Sequence, residues 1–220
     1  MKKTFIGNTY EEGTRRLRKS TVNDQAHAGM LQELTYDYDQ AGNVLSIFDA
    51  APQSGPAKAD KQCFAYDGPG RITEAWTPKT ADCSTSGRTV ANLDGAAPYW
   101  DSYTYTASGQ RATEKNRTGA PTTRTYCYDG SRPHRLAATT TGGSCSGLAA
   151  QYTYDATGNT TTRVEKPGSP TTQTLAWGPE GRLNKLTEGT SATDYVYGAD
   201  GELLIRNAGG AVHGSPGGAP

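Results

Sequence analysis

Large apolar side chains seldom cluster along this chain. They come in pairs one residue apart, each pair followed by a polar turn. "YTYDATGNTT", from Tyr152, is the clearest copy. Residues i and i+2 of a strand share a face, so Tyr152 and Tyr154 point the same way. Asp155 is placed to accept hydrogen bonds from backbone amides just ahead and so start a turn. Gly158 supplies the positive φ that ends such a turn. Asn159 also tolerates turn geometry, and the β-branched "TTTRV" returns the chain. The pattern predicts a β-hairpin with a loop of about four residues.

The unit recurs. "YDYDQAGNVL" carries Tyr36, Tyr38, Asp39 and Gly42, and "FAYDGPGRIT" carries Phe64, Tyr66, Asp67 and Gly70. "YTYTASGQRA" has Tyr103, Tyr105 and Gly109, and "YCYDGSRPHR" has Tyr126, Tyr128 and Asp129. After the copy at Tyr152 come "LAWGPEGRLN", with Trp177 and Gly181, and "YVYGADGELL", with Tyr195, Tyr197 and Gly201. "NTYEEGTRRL" reads as an eroded copy. The second aromatic falls at positions 38, 66, 105, 128, 154, 177 and 197. Self-similarity at such steps is the signature of a repeat array. One hairpin is marginal alone, but stacked copies can bury an aromatic ladder.

The variation between copies argues for structure rather than catalysis. Asp gives way to Thr106, Gly178 and Gly198, all turn residues, and a catalytic aspartate would not alternate so. Only "YDGSRPHR" lacks the glycine, having Arg132 and Pro133 there, so that loop should differ. Long inserts rich in Ala, Pro, Gly and Ser lie before Phe64 and after Trp76 and read as surface loops. Trp76 and Trp100 flank the second and are placed to cap a local cluster or, as a weaker reading, to stack a sugar. Helix signals are poor.

Composition agrees. Hydrophobic residues are 34%, low for a thick core, with 27 Gly, 12 Pro and 13 Tyr. Such a chain suits thin, turn-rich β-structure. Lys plus Arg equals Asp plus Glu at 22 each, which argues against a nucleic-acid partner. No stretch approaches a transmembrane span, and the basic start "MKKTFIGNTYEEG" has no apolar run of signal-peptide length after it.

"YDYDQAGNV", "FAYDGPGRITEAW" and "YTYDATGNTT" resemble the YD repeats of rearrangement-hotspot (RHS) proteins, over about residues 9 to 207. Related repeats occur in wall-associated proteins, insecticidal toxin complexes and teneurins. The resemblance implies an all-β fold in which tandem hairpins form a curved, spiralling sheet, a segment of an RHS shell. In bacterial members the shell encloses a variable C-terminal toxin, which its last segment often cuts free. That closing segment has no counterpart here, so self-proteolysis is carried over to no residue. Residues 1–207 are expected to form one array, and 208–220 a flexible Gly/Pro-rich tail.

Other chemistry is weak. "DYDQAGN" imitates a calcium loop through Asp37, Asp39 and Gly42, but Ala41 and Phe48 stand where oxygen ligands belong. His27, His134 and His213 are scattered, so no metal or cofactor is expected. Asn116 and Asn159 open sequons by pattern only. Four cysteines allow three pairings. Cys63 and Cys127 both face away from their neighbouring aromatics, and each precedes a Gly/Ser-rich stretch holding Cys83 or Cys145. Cys63–Cys83 and Cys127–Cys145 are therefore favoured, which places the chain outside the reducing cytosol.

The leading expectation is a non-catalytic segment of a secreted shell, whose partners are the rest of that shell and an enclosed toxin. The alternative is a cell-surface module that binds glycans through its tyrosines. A cryptic hydrolase and a remnant without a role stand behind these.

Overall fold

The computed structural model describes residues 3–26, 29–50, 59–80, 82–84, 88–164, 171–209 and 211–214. His27 and the central part of the insert before Phe64 lie outside them. Eight hairpins follow one another among the described residues. The first four are β1 (Thr4–Tyr10) with β2 (Leu17–Asp24), β3 (Met30–Tyr38) with β4 (Val44–Asp49), β5 (Asp60–Tyr66) with β6 (Ile72–Trp76), and β7 (Trp100–Tyr105) with β8 (Arg111–Asn116). Then come β9 (Thr122–Tyr128) with β10 (Leu136–Thr141), β11 (Thr153–Tyr154) with β12 (Thr160–Val164), β13 (Thr172–Trp177) with β14 (Leu183–Glu188), and β15 (Ser191–Tyr197) with β16 (Leu203–Ala208). The strands form two open antiparallel sheets in chain order, β1 to β10 and β11 to a last strand, β17 (Ala211–Gly214).

The repeat dictates the turn. In the second hairpin the Asp39 N–H donates to the Asn43 carbonyl at 3.0 Å, and the Gly42 N–H donates to the Asp39 carbonyl at 3.2 Å. The same two bonds close the turns at Asp67, Thr106, Asp155, Gly178 and Gly198. The glycines of these six turns hold φ from 70° to 98°. Pairing breaks register just before the turn and resumes at Tyr38 opposite Val44, leaving residues 39–43 as the loop. The loop is thus one residue longer than expected, because the positive-φ glycine is the first residue of a bulge. The eroded first copy is one residue longer: Glu11 N–H donates to the Arg16 carbonyl, and Arg15 takes the glycine's role at φ 59°. The Asp129 loop differs, as its missing glycine suggested: Asp129 N–H donates to the Arg135 carbonyl, two residues further on than in the regular turns.

Two compact units divide the chain, residues 1–123 and 124–220. In the first, a row of directly paired residues runs Asp37, Ser46, Cys63, Trp76, Trp100 across five strands. Paired side chains share a face. Cys63 is fully buried and Trp76 is 1% exposed, so the core sits on this face. The tyrosines are only half-buried, so the aromatic ladder is a flank rather than the core. Around Trp76 the other buried positions hold small side chains, Ser46, Cys63 and Thr77, and the second unit buries Cys127, Ala138, Thr139 and Leu175. The side chains of the buried polar residues Ser46, Thr77, Thr139 and Gln173 are hydrogen-bonded, as burial requires. Ser46 donates to Asp37 at 2.7 Å, and Gln173 bridges Arg163 and Glu188 at 2.8 Å each.

The insert after Trp76 is more than a surface loop. It folds back over the core: Pro78 bridges Leu93, a single 3-10 turn spans Val90–Asn92, and Tyr99 ties to Thr77 through backbone and hydroxyl. Cys83, within this insert, is bonded to Cys63, with Cα atoms 5.5 Å apart. In the second unit Cys145 is bonded to Cys127, with Cα atoms 5.4 Å apart. The loop that follows Cys145 is pinned by Gln151, whose side-chain amide both accepts from the Thr139 N–H and donates to the Thr139 carbonyl at 3.0 Å.

The expected tail from residue 208 starts with structure. Ala208 opposes Ala211, and β17 pairs along β16 to Gly214. Gly209, which follows β16, holds φ 57°. Residues 215–220 lie outside the described residues.

Peptide mapping under non-reducing conditions should return Cys63–Cys83 and Cys127–Cys145. The loops close over 20 and 18 residues. By chain entropy each bridge is worth about 3 kcal/mol. A Cys127→Ala/Cys145→Ala double variant should lose about that much in urea unfolding.

Candidate functional site

The repeat residues meet along the line where each hairpin joins the one before it. In six hairpins the second aromatic reaches back and donates to the main-chain carbonyl of the first residue in the preceding return strand. Tyr38 donates to Leu17 at 2.7 Å, Tyr66 to Val44 at 2.8 Å and Tyr105 to Ile72 at 2.6 Å. In the second unit Tyr154 donates to Leu136 at 3.0 Å and Tyr197 to Leu183 at 3.1 Å. Trp177 uses its indole N–H in the same way, on Thr160 at 2.7 Å. A tryptophan replaces a tyrosine here because both carry a donor at the far end of a large ring. Burial pushes the phenols of Tyr38, Tyr66 and Tyr154 above their ordinary value.

The first aromatics do a different job. Tyr36 pairs across the strands with Ile47, Phe64 with Ala75, and Tyr195 with Arg206. They contribute apolar area to the sheet face and need no terminal donor, which is why Phe64 and Leu175 serve in two copies.

The turn aspartates serve their own loops. Asp155 accepts from the backbone N–H of Thr157 and Asn159 at 3.0 and 2.9 Å, from the Thr157 hydroxyl at 2.7 Å and from the Asn159 amide at 2.9 Å. The Thr157 hydroxyl and then the Asn159 amide hold its carboxyl down at about 2. The Asn43 amide likewise lowers Asp39, the Arg71 guanidinium lowers Asp67, and the Ser131 hydroxyl lowers Asp129. Asp37 and Asp39 do not converge as a calcium loop would require: Asp37 accepts from Ser46, and Asp39 from Asn43. Asn159, one of the two sequon residues, spends its amide on Asp155 and Thr157.

One position escaped the sequence reading. The residue whose carbonyl closes each turn alternates between arginine and an uncharged or acidic side chain. In chain order it is Arg16, Asn43, Arg71, Gln110, Arg135, Asn159, Arg182 and Glu202. The arginines reach forward over the next hairpin's second aromatic. Arg16 lies 5.6 Å from the Tyr38 ring, Arg71 4.4 Å from Tyr105, Arg135 5.3 Å from Tyr154 and Arg182 5.6 Å from Tyr197. Arg16 and Arg182 also donate to the turn carbonyls of Asp39 and Gly198, at 2.8 and 3.3 Å. Asn43 and Asn159 turn inward to their own aspartates instead. Strands are spaced about 4.8 Å apart, so within the first unit the guanidinium groups of Arg16 and Arg71, four strands apart, are kept roughly 19 Å from each other. That exceeds the screening length of about 8 Å at physiological salt. The signal was available one column after the repeat glycine.

The tryptophans form a second cluster. Arg88, from the insert, stacks 3.8 Å from the Trp76 ring and pairs with Glu74. Arg117 lies 4.9 Å from the Trp100 ring and donates to Ser102 at 3.2 Å. Trp76 is therefore covered and buried, as a cap requires, and presents no open face to a sugar. Beside it, Tyr99 is pushed up to about 12, first by burial and then by Asp60 and Asp101.

These features define an all-β protein of tandem, hydrogen-bonded hairpins. No family profile and no curated protein matches the chain. Solved structures do. A crystal structure of TcdB2-TccC3 superposes with a TM-score of 0.67 at 18% identity, over 93% of this chain and 10% of that one. The Photorhabdus luminescens Tc holotoxin pore with a TccC3 mutation gives 0.64 at 18% identity, with the same coverage. TcdB2-TccC3 without its hypervariable C-terminal region gives 0.60 at 15% identity, over 95% of this chain and 12% of that one. This likeness shows the fold. The chain spans about a tenth of the length of the chains it resembles. Among the described residues no helix is long and apolar enough to cross a membrane.

Tyr66→Phe should cost about 1 kcal/mol in denaturant unfolding, the worth of one partly buried hydrogen bond. Tyr36→Phe should be near neutral, since its hydroxyl has no partner among the described residues.

Asp155→Asn should keep the three bonds that one carboxylate oxygen accepts and lose only the one from the Asn159 amide, so it should cost less than Asp155→Leu, which loses all four. The Asp155 carboxyl is lower in the folded chain than in the unfolded one. Its stabilisation is thus full above the ordinary carboxylate value and fades as pH falls toward about 2. Acid-unfolding curves of wild type and Asp155→Asn should converge there.

Proposed function

We propose that this chain is a structural, non-catalytic segment of an RHS-type shell. Its partners are the remainder of that shell and a toxin domain that the shell encloses or presents. The longer protein works outside the cell, where both disulfides persist.

The observation that carries this reading is the seam itself. Successive hairpins are joined by one repeated bond, from an aromatic donor to a return-strand carbonyl. Such a joint is indifferent to chain length and suits a ribbon built by adding units. The polar residues that recur in every copy are consumed by turns and seams. Thr106, Gly178 and Gly198 replace the turn aspartate without changing the backbone bonds. The likeness to TcdB2-TccC3 assemblies supports the same reading for so short a piece of chain.

The isolated chain should associate in solution. Its exposed apolar residues include Ile6 at 71%, Phe5 at 51% and Val196 at 49%. Open strand edges template pairing with other chains. Light scattering should report concentration-dependent oligomers that bind an apolar dye. A compact monomer at high concentration, with no dye binding, would contradict the segment reading.

A further inference from the structure

In the first hairpin, the second aromatic makes no seam bond among the described residues. Tyr10 stands just before the first turn and opposite Leu17, as Tyr38 stands opposite Val44. It is a second aromatic by position, yet it is 56% exposed and its hydroxyl has no acceptor among the described residues. Every residue of β1 is exposed, with Phe5 and Ile6 on opposite faces of the strand. β1 is the terminal strand of its sheet, so one of its edges pairs with no strand among the described residues. An exposed edge carrying apolar residues on both faces is a surface from which a neighbour is missing.

We infer that β1 seats the return strand of one further hairpin of the same repeat, antiparallel to it. The main-chain carbonyl of that strand's first residue accepts the Tyr10 hydroxyl. The inference rests on the shell reading and names the partner of this edge. It is argued from continuity with the seams already formed: six second aromatics make this bond, and their acceptor is always the first return-strand residue. The alternation adds a second requirement. Because the first turn closes on Arg16, the docked hairpin should close on a residue other than arginine.

The chain itself supplies the probe. Residues 191–208, the β15–β16 hairpin, close on Glu202 and begin their return strand at Leu203. Fused ahead of Met1, this hairpin would have residues 1–3 as its link, and two residues suffice between β14 and β15. Hydrogen exchange of the β1 amides would be compared in the wild-type and extended chains. The expected result is about tenfold slower exchange along β1 in the extended chain, because opening must now break a ladder. Tyr10→Phe in the extended chain should return about fivefold of that, the effect of one side-chain hydrogen bond. Protection that Tyr10→Phe leaves untouched would overturn the role of Tyr10 while leaving the shell reading standing. A second extension with residues 30–49, which close on Asn43, guards against a graft that fails to fold. Unprotected β1 amides in both extended chains would overturn the inference. The shell reading is judged separately, by the association of the unextended chain.

Discussion

The structure depends on one hydrogen bond made again and again: an aromatic side chain donating to the carbonyl that begins the preceding return strand. Strand pairing alone fixes neighbours but leaves adjacent turns free to splay. A donor at the end of a rigid ring fixes the distance between consecutive turns as well. The ring must be long enough to cross to the next turn and must end in an N–H or O–H. Tyrosine and tryptophan meet both conditions, and phenylalanine meets only the first. The first aromatic column is under no such demand and drifts to Phe64 and Leu175.

This division explains why the core is so small. With hairpins joined at their turns by polar bonds and by arginines lying over the rings, little needs to be deeply buried. The fully buried positions gather where the insert after Trp76 folds back. There Cys63, Trp76 and Thr77 are sealed by Cys83 and Arg88. The second unit has a smaller counterpart, where Cys145 and Gln151 tie a long loop to β9 and β10. In both places a disulfide supplies constraint that a thin sheet cannot draw from apolar area.

Much of this was legible in the sequence because the repeat is local. Tyrosine spacing gave the strands, and Asp and Gly placed the turns to within one residue. The bulge was missed because a residue count cannot tell a plain four-residue loop from a turn that slips register. The partner of each tyrosine was also hidden. The acceptor is a backbone carbonyl in the preceding hairpin, far along the chain, and every residue type carries one. The fold of the long insert was invisible for a related reason. Its composition is that of a loop, and only its contacts with Trp76, Thr77 and Glu74 give it a shape. β17 was lost because the Gly-Gly pair in the sequence just before it reads equally well as the start of a loose tail.

The arginine alternation carries a consequence for how such a ribbon changes length. Since guanidinium groups occupy every second turn, the true period is two hairpins, not one. Losing a single hairpin would either set two arginines on neighbouring turns or leave two neighbouring rings with no guanidinium over them, depending on which kind is lost. Losing or copying a pair leaves the alternation intact. The ribbon is therefore modular in twos, and unequal exchange between copies meets the least electrostatic resistance when it moves an even number of hairpins.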